Sequence, residues 1–92
     1  MSDSNAHSAP SKPMSNFQSF VLSLGSSAMI HLGGIPDPET RSPMVNLPLA
    51  QATIETLEML LEKTEGNRTA DEDKTLRGLL TELRMRFVAA KK

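Results

Sequence analysis

The sequence contains no cysteine, tryptophan or tyrosine, and its only aromatic residues are three phenylalanines. Without cysteine the chain forms no disulfide and offers no thiolate as a nucleophile or metal ligand. The only histidines, His7 and His31, provide too few imidazoles for a metal site or for acid–base catalysis. We therefore expect no catalytic residue, cofactor or metal, and a protein that is not an enzyme.

Charge is balanced overall and missing from one long stretch. The 10 basic and 11 acidic residues give a net charge of −1, which creates no overall field toward nucleic acid or anionic lipid. No Asp, Glu, Lys or Arg occurs from position 13 to position 36. A membrane span is an alternative for this stretch, but Gln18, several serines and three glycines interrupt a window that is barely long enough to cross.

The first 13 residues are mostly Ser, Asn, Ala and Pro, a composition that buries too little apolar surface to fold. We predict a disordered tail at 1–13 and one small helical domain at 14–92. The tail lacks the basic start and long apolar run of a signal peptide, so we expect a cytoplasmic protein.

The first predicted helix spans about 15–32. Ser15 and Gln18 have the spacing of a capping box, and Gly33-Gly34 is a typical helix end. The apolar residues at helical spacing on its main face are Phe17, Phe20, Val21, Leu24, Ala28 and Leu32. Leu22, Met29 and Ile30 fall on other sides, which predicts that this helix is covered nearly all round.

Two further helices are predicted at about 47–65 and 70–89, joined as an antiparallel hairpin. Asn46 precedes the first of them as a potential N-cap, Gly66 and Asn67 form the turn, and Thr69 with Glu72 matches a capping box. The apolar residues at helical spacing are Leu47, Ala50, Ile54, Leu57 and Leu61 in one helix and Leu76, Leu79, Leu80, Leu83 and Phe87 in the other.

The connection from Gly33 to Val45 is long for a compact domain. The simpler interpretation is a spacer that crosses the bundle, with Asp37-Pro38 starting one helical turn. The alternative is a functional or mobile loop, since long loops are often either.

Three segments resemble a bacterial family of small helical proteins known only as a domain of unknown function. They are Leu32-Gly33-Gly34-Ile35-Pro36-Asp37-Pro38, the segment from Glu62 to Glu72 with the pattern EKTxGNxTxxE, and Leu83-Arg84 with Phe87-Val88. Arg68 departs from the apolar residue expected after Gly-Asn, and Glu55 departs from a frequent Asp. The resemblance implies a small helical bacterial protein and adds no activity.

The charged residues are explained by helix electrostatics. Asp71, Glu72 and Asp73 lie in the first turn of the last helix, where exposed N–H groups stabilise carboxylates. Arg77, Arg84 and Lys91 form a basic stripe, which is consistent with weak nucleic-acid binding. Pairing with the preceding helix and with i,i+4 acids is the simpler interpretation.

The sequence therefore predicts an all-α fold, in which an N-terminal helix and an antiparallel helical hairpin make a small three-helix bundle completed by oligomerisation. We expect a non-catalytic interaction or assembly module that binds itself and an unidentified protein. The candidate surface comprises Leu22, Met29, Ile30, Ile35 and Val45. The alternatives are nucleic-acid binding through the last helix and peripheral membrane association through the uncharged first helix.

Overall fold

The computed structural model describes residues 14–36, 38–39, 41 and 44–91. These residues form three α-helices and no strand, which confirms the predicted all-α three-helix bundle. The helices are α1 (Asn16–His31), α2 (Leu47–Lys63) and α3 (Ala70–Lys91). The predicted tail at 1–13 and Asp37 of the predicted Asp37-Pro38 turn lie outside the described residues.

Helix α1 begins and ends with the motifs that its sequence indicates. The Ser15 hydroxyl accepts from the Gln18 amide, and the Gln18 side chain accepts from the Ser15 amide, which completes a capping box. At the other end Gly33 has φ of +82°, and the amides of Gly33 and Gly34 donate to the carbonyls of Ile30 and Met29. This is a Schellman motif, and its positive φ requires a glycine.

The three helices run up, down and up. A Cβ atom at Gly25 of α1 would lie 2.7 Å from the δ-methyl groups of Leu79, so α3 packs closely on that side of α1. Ser15 contacts Glu72, and Gly34 lies beside Arg86, so α1 and α3 start at the same end and run parallel. Helix α2 is antiparallel to both, as the hairpin prediction requires.

The connection between α1 and α2 does not cross the bundle, so that interpretation of the sequence is wrong. The Asn46 amide donates to the His31 carbonyl over 2.7 Å, and a Cβ atom at Gly33 would lie 3.0 Å from a methyl group of Val45. The connection therefore leaves and returns at one end of the bundle, because the antiparallel α1 and α2 have adjacent termini there.

Each helix contributes equally to the core, which contains no aromatic residue. The buried hydrophobic side chains are Val21, Ala28 and Leu32, Ala50, Ile54 and Leu57, and Leu76, Leu80 and Leu83. Phe17 and Phe87 pack against its edge. Phe20 was expected on the buried face of α1, and this is wrong, since its side chain is 51% exposed. It lies at the edge of the stripe, beyond the arc that α2 and α3 cover.

Candidate interaction surface

The charged side chains of the hairpin are engaged with one another. Asp73 accepts from Arg68 and Arg77, and these two guanidinium groups hold the pKa of its carboxyl below the usual value, with Arg68 the larger cause. Among the described residues, no three His, Asp or Glu side chains form a group able to hold a metal ion.

Each side chain of the basic stripe on α3 lies beside a carboxylate or an aromatic ring that interacts favourably with its positive charge. Arg77 pairs with Asp73 one turn earlier, and Arg84 pairs with Glu58 of α2, each at 3.0 Å. The Lys91 ammonium sits 5.5 Å from the centre of the Phe87 ring. The i,i+4 and cross-hairpin pairing predicted from the sequence is present, and it reduces the positive potential available to a phosphate backbone.

Arg68 has a structural role that the sequence did not reveal. Its side chain is only 6% exposed. It donates to the Leu61 carbonyl at 2.7 Å, to the Thr64 hydroxyl at 2.8 Å and to Asp73. Arg68 thereby joins the last turn of α2 to the first turn of α3, which satisfies a carbonyl that the helix end leaves unpaired. The sequence signal for this role was that Arg68 stands where the family pattern has an apolar residue.

The turn residues lie where the sequence placed them. Gly66 has φ of +82°, and the Asn67 amide donates to the Thr64 carbonyl. The Glu72 amide donates to the Thr69 hydroxyl at 3.1 Å, and the Thr69 amide donates to the Glu72 carboxylate at 2.9 Å. Both hydrogen bonds of the capping box are present.

The structure distributes the five candidate surface residues over different parts of the bundle. Leu22 is 39% exposed and lies toward α3, while Met29 packs against the core and its methyl group approaches Gly34. Ile30 is half-buried on the side of α1 that faces away from α3. Ile35 and Val45 are exposed in the connection, at one end of the bundle. They do not form one continuous patch.

A different surface connects Ile30 to exposed and half-buried residues of α1 and α2. On α1, one row at helical spacing faces away from α3, and on α2 a matching row faces away from Glu58 and therefore toward α1. The rows are Phe20, Ser23, Ser27 and Ile30 on α1, and Leu49, Thr53 and Thr56 on α2. We call these seven residues the uncharged face.

Three of the four hydroxyl groups of the uncharged face already have acceptors within their own helices. Ser23 donates to the Phe20 carbonyl, Thr53 to the Leu49 carbonyl and Thr56 to the Ala52 carbonyl, at 2.9 to 3.0 Å. A hydroxyl with its donor satisfied is less costly to remove from water than one without a partner. Phe20 and Leu49, 51% and 48% exposed, add large apolar groups to the same face.

The seam between α2 and α3 has a second, more polar groove. Its floor is formed by Ile54, Phe87 and Val88, and the Glu58–Arg84 ion pair lies along its edge. Charged groups on both rims distinguish this groove from the uncharged face. A partner here would have to match or displace the ion pair.

These features define a small up-down-up bundle of three helices whose exposed surface includes one charge-free side. The chain belongs to the family described as a domain of unknown function (DUF1844), whose model matches residues 14–89. This confirms the family expected from the resemblance, and it assigns no activity. Neither a curated protein nor a solved structure matches the chain. Within the part of the chain that the structure describes, no helix is long and apolar enough to span a membrane.

Proposed function

We propose that the protein is a non-catalytic interaction module of the bacterial cytoplasm that binds a protein partner through the uncharged face. The observation that carries this proposal is the exposure of Phe20 and Leu49 on a surface without a charged group. Scattered exposed apolar residues are normal, whereas large apolar side chains on a surface without charge are typical of the centre of protein interfaces.

The arginines of the hairpin form ion pairs within the bundle, which supports a structural role for them. Arg68, Arg77, Arg84 and Arg86 each pair with an acid of α2 or α3. Binding of nucleic acid through α3 would have to compete with these pairs, so we do not favour it. Peripheral membrane association through α1 is also less favoured, because no Lys or Arg lies in α1 to attract anionic headgroups.

Photo-crosslinking in living bacteria tests the proposal. A photo-reactive phenylalanine analogue replaces Phe20 in one strain and Leu49 in another. The matched control carries it at Met85 of α3, which is 64% exposed and therefore at least as accessible. Irradiation should yield discrete adducts from positions 20 and 49 and much less from position 85.

The adduct masses identify the kind of partner. A band at twice the 10.0 kDa chain mass contains two copies of this chain, and any other mass contains a different protein. Equal labelling from all three positions, or no adduct from the uncharged face, would show that this face is not the interaction surface.

A further inference from the structure

We propose that the partner at the uncharged face is a second copy of this chain, with the two α1 helices antiparallel about a two-fold axis that crosses the uncharged face at the level of position 25. This inference rests on the proposed function and specifies the occupant of the same surface. It begins from the order of side-chain sizes along α1, which is large, small, small and large at Phe20, Ser23, Ser27 and Ile30.

This order is symmetric about position 25. Phe20 and Ile30 each lie five positions from Gly25, and Ser23 and Ser27 each lie two positions from it. In an antiparallel pair, Phe20 therefore faces Ile30 of the partner subunit, and Ser23 faces Ser27 of the partner subunit. Such reciprocity is the defining property of a two-fold interface. The serines at the centre allow the helix backbones to approach, and the larger residues at both ends fill the space beside them.

The absence of charge supports a second copy as the occupant. Near a two-fold axis each side chain lies close to its own copy, so a charged residue there would face a like charge across the interface. Helix α1 contains no Asp, Glu, Lys or Arg, and neither does the α1-facing row of α2 from Leu49 to Thr56; this row reaches a charged residue only at Lys63, in the last turn of α2. On α3 the exposed surface carries Arg77, Arg84 and Arg86 in ion pairs, and self-pairing through α3 would have to bury or break these pairs.

The available area fits a small dimer interface. The uncharged face spans positions 20–30 of α1 and 49–56 of α2, which are about 15 Å and about 10 Å of helix, on helices about 10 Å wide. The projected area is on the order of 250 Å² per chain. A rough surface of side chains has a larger accessible area than its projection, and the interface still falls at the low end of the sizes of specific complexes.

Engineered cysteines test the antiparallel arrangement, since every disulfide in this cysteine-free chain is then an introduced one. The variants Ser23→Cys and Ser27→Cys are purified separately, and one carries a tag of different mass. They are oxidised mildly, alone and after mixing. Disulfides form between cysteines whose Cα atoms lie within about 7 Å, so the geometry of the pair decides which combination reacts. Thr81→Cys on exposed α3 is the control for random collision.

The expected result is a mixed disulfide of one tagged and one untagged chain when Ser23→Cys and Ser27→Cys are combined, with little product from either variant alone. Light scattering of the unmodified protein should give twice the 10.0 kDa chain mass at micromolar concentration. Equal self-reaction of each single variant would indicate parallel helices and overturn the arrangement. A monomeric mass together with no mixed disulfide would overturn the dimer, while photo-crosslinks from Phe20 to another protein would preserve the proposed function.

Discussion

The hydroxyl of Ser15, the N-cap of α1, donates a hydrogen bond of 2.7 Å to the carboxylate of Glu72 in the first turn of α3. Beside it, the Gln18 amide group donates to the Thr75 hydroxyl at 3.1 Å. The Ser15 hydroxyl also accepts from its own helix, and the other Glu72 oxygen accepts from Thr69. Two capping boxes are thus joined, through residues 57 positions apart along the chain, into one polar contact that holds the parallel starts of α1 and α3 together.

We expect substitutions of Ser15 and Glu72 to be coupled. Ser15→Ala alone should reduce the free energy of unfolding by about 1 kcal/mol, the usual effect of losing an N-cap. Combined with Glu72→Ala, the total loss should be smaller than the sum of the two single losses, because each removes the shared hydrogen bond. Urea unfolding of the four proteins measures this. Ser15→Ala with Asn46→Ala, a cap at the opposite end of the bundle, should be additive and serves as the control.

The same contact predicts a pH dependence. The hydrogen bond from Ser15, with a second from Thr69, lowers the pKa of Glu72 in the folded protein. A lowered pKa stabilises the fold fully above the unfolded-state value of about 4, and this stabilisation is lost as the pH falls through the folded value. Glu72→Gln should therefore cost stability at neutral pH and progressively less toward pH 3. Glu65→Gln, an exposed carboxylate in the turn, controls for loss of charge, and parallel pH curves for all three proteins would contradict the prediction.

Arg68 and Arg77 both bind Asp73, yet we expect very different losses from their removal. Arg68→Ala should reduce the free energy of unfolding by about 2 kcal/mol, because it leaves the half-buried Leu61 carbonyl without its donor. Arg77→Ala should have a smaller effect, since its side chain is 55% exposed and the pair is accessible to water and salt. Thermal melts at low and high salt compare them. Equal losses of unfolding free energy from the two substitutions would show that the buried Arg68 contacts do not stabilise the fold more than the exposed Arg77 pair does.

Two helical glycines should respond oppositely to alanine. Gly78 of α3 has no atom within 4 Å of an added Cβ, so Gly78→Ala should raise the free energy of unfolding by about 0.5 to 1 kcal/mol. At Gly25 the added Cβ would lie 2.7 Å from the δ-methyl groups of Leu79. Forcing that side chain aside should offset the gain and give a net loss of about 1 kcal/mol. The double variant Gly25→Ala with Leu79→Ala should lose less unfolding free energy than the sum of the losses of the two single variants.

The turn at Gly66 isolates the effect of backbone conformation. Its φ is +82°, and an added Cβ would meet nothing within 4 Å. Gly66→Ala should therefore lower the free energy of unfolding by about 1 kcal/mol through backbone strain alone, and Gly66→Val by more, because a β-branched residue tolerates this region less well. Gly66→Asn should cost least. Urea midpoints in the order Gly, Asn, Ala and Val test this explanation.

The sequence was sufficient to predict the helices, their caps and the hairpin. These features depend on neighbours three or four positions apart, which the sequence displays directly, as Ser15 with Gln18 and Thr69 with Glu72 show. The same locality explains the i,i+4 pair of Asp73 with Arg77. Short-range geometry is fixed once a helix is assigned, so these contacts required no knowledge of the bundle.

Only the tertiary structure decided which side of each helix is covered. Periodicity placed Phe20 and Val21 on one face of α1, but Val21 is fully buried and Phe20 is half exposed. Met29 packs against the core, although its position on α1 suggested otherwise. A helix can be rotated by tens of degrees about its axis without changing its pattern of spacing, and the positions of α2 and α3 fix that rotation. The uncharged face and the Ser15–Glu72 hydrogen bond depend on this rotation, because each joins residues of two different helices. The Arg68 contacts are local in sequence, but they cross the irregular turn between α2 and α3, where helical spacing predicts no contact.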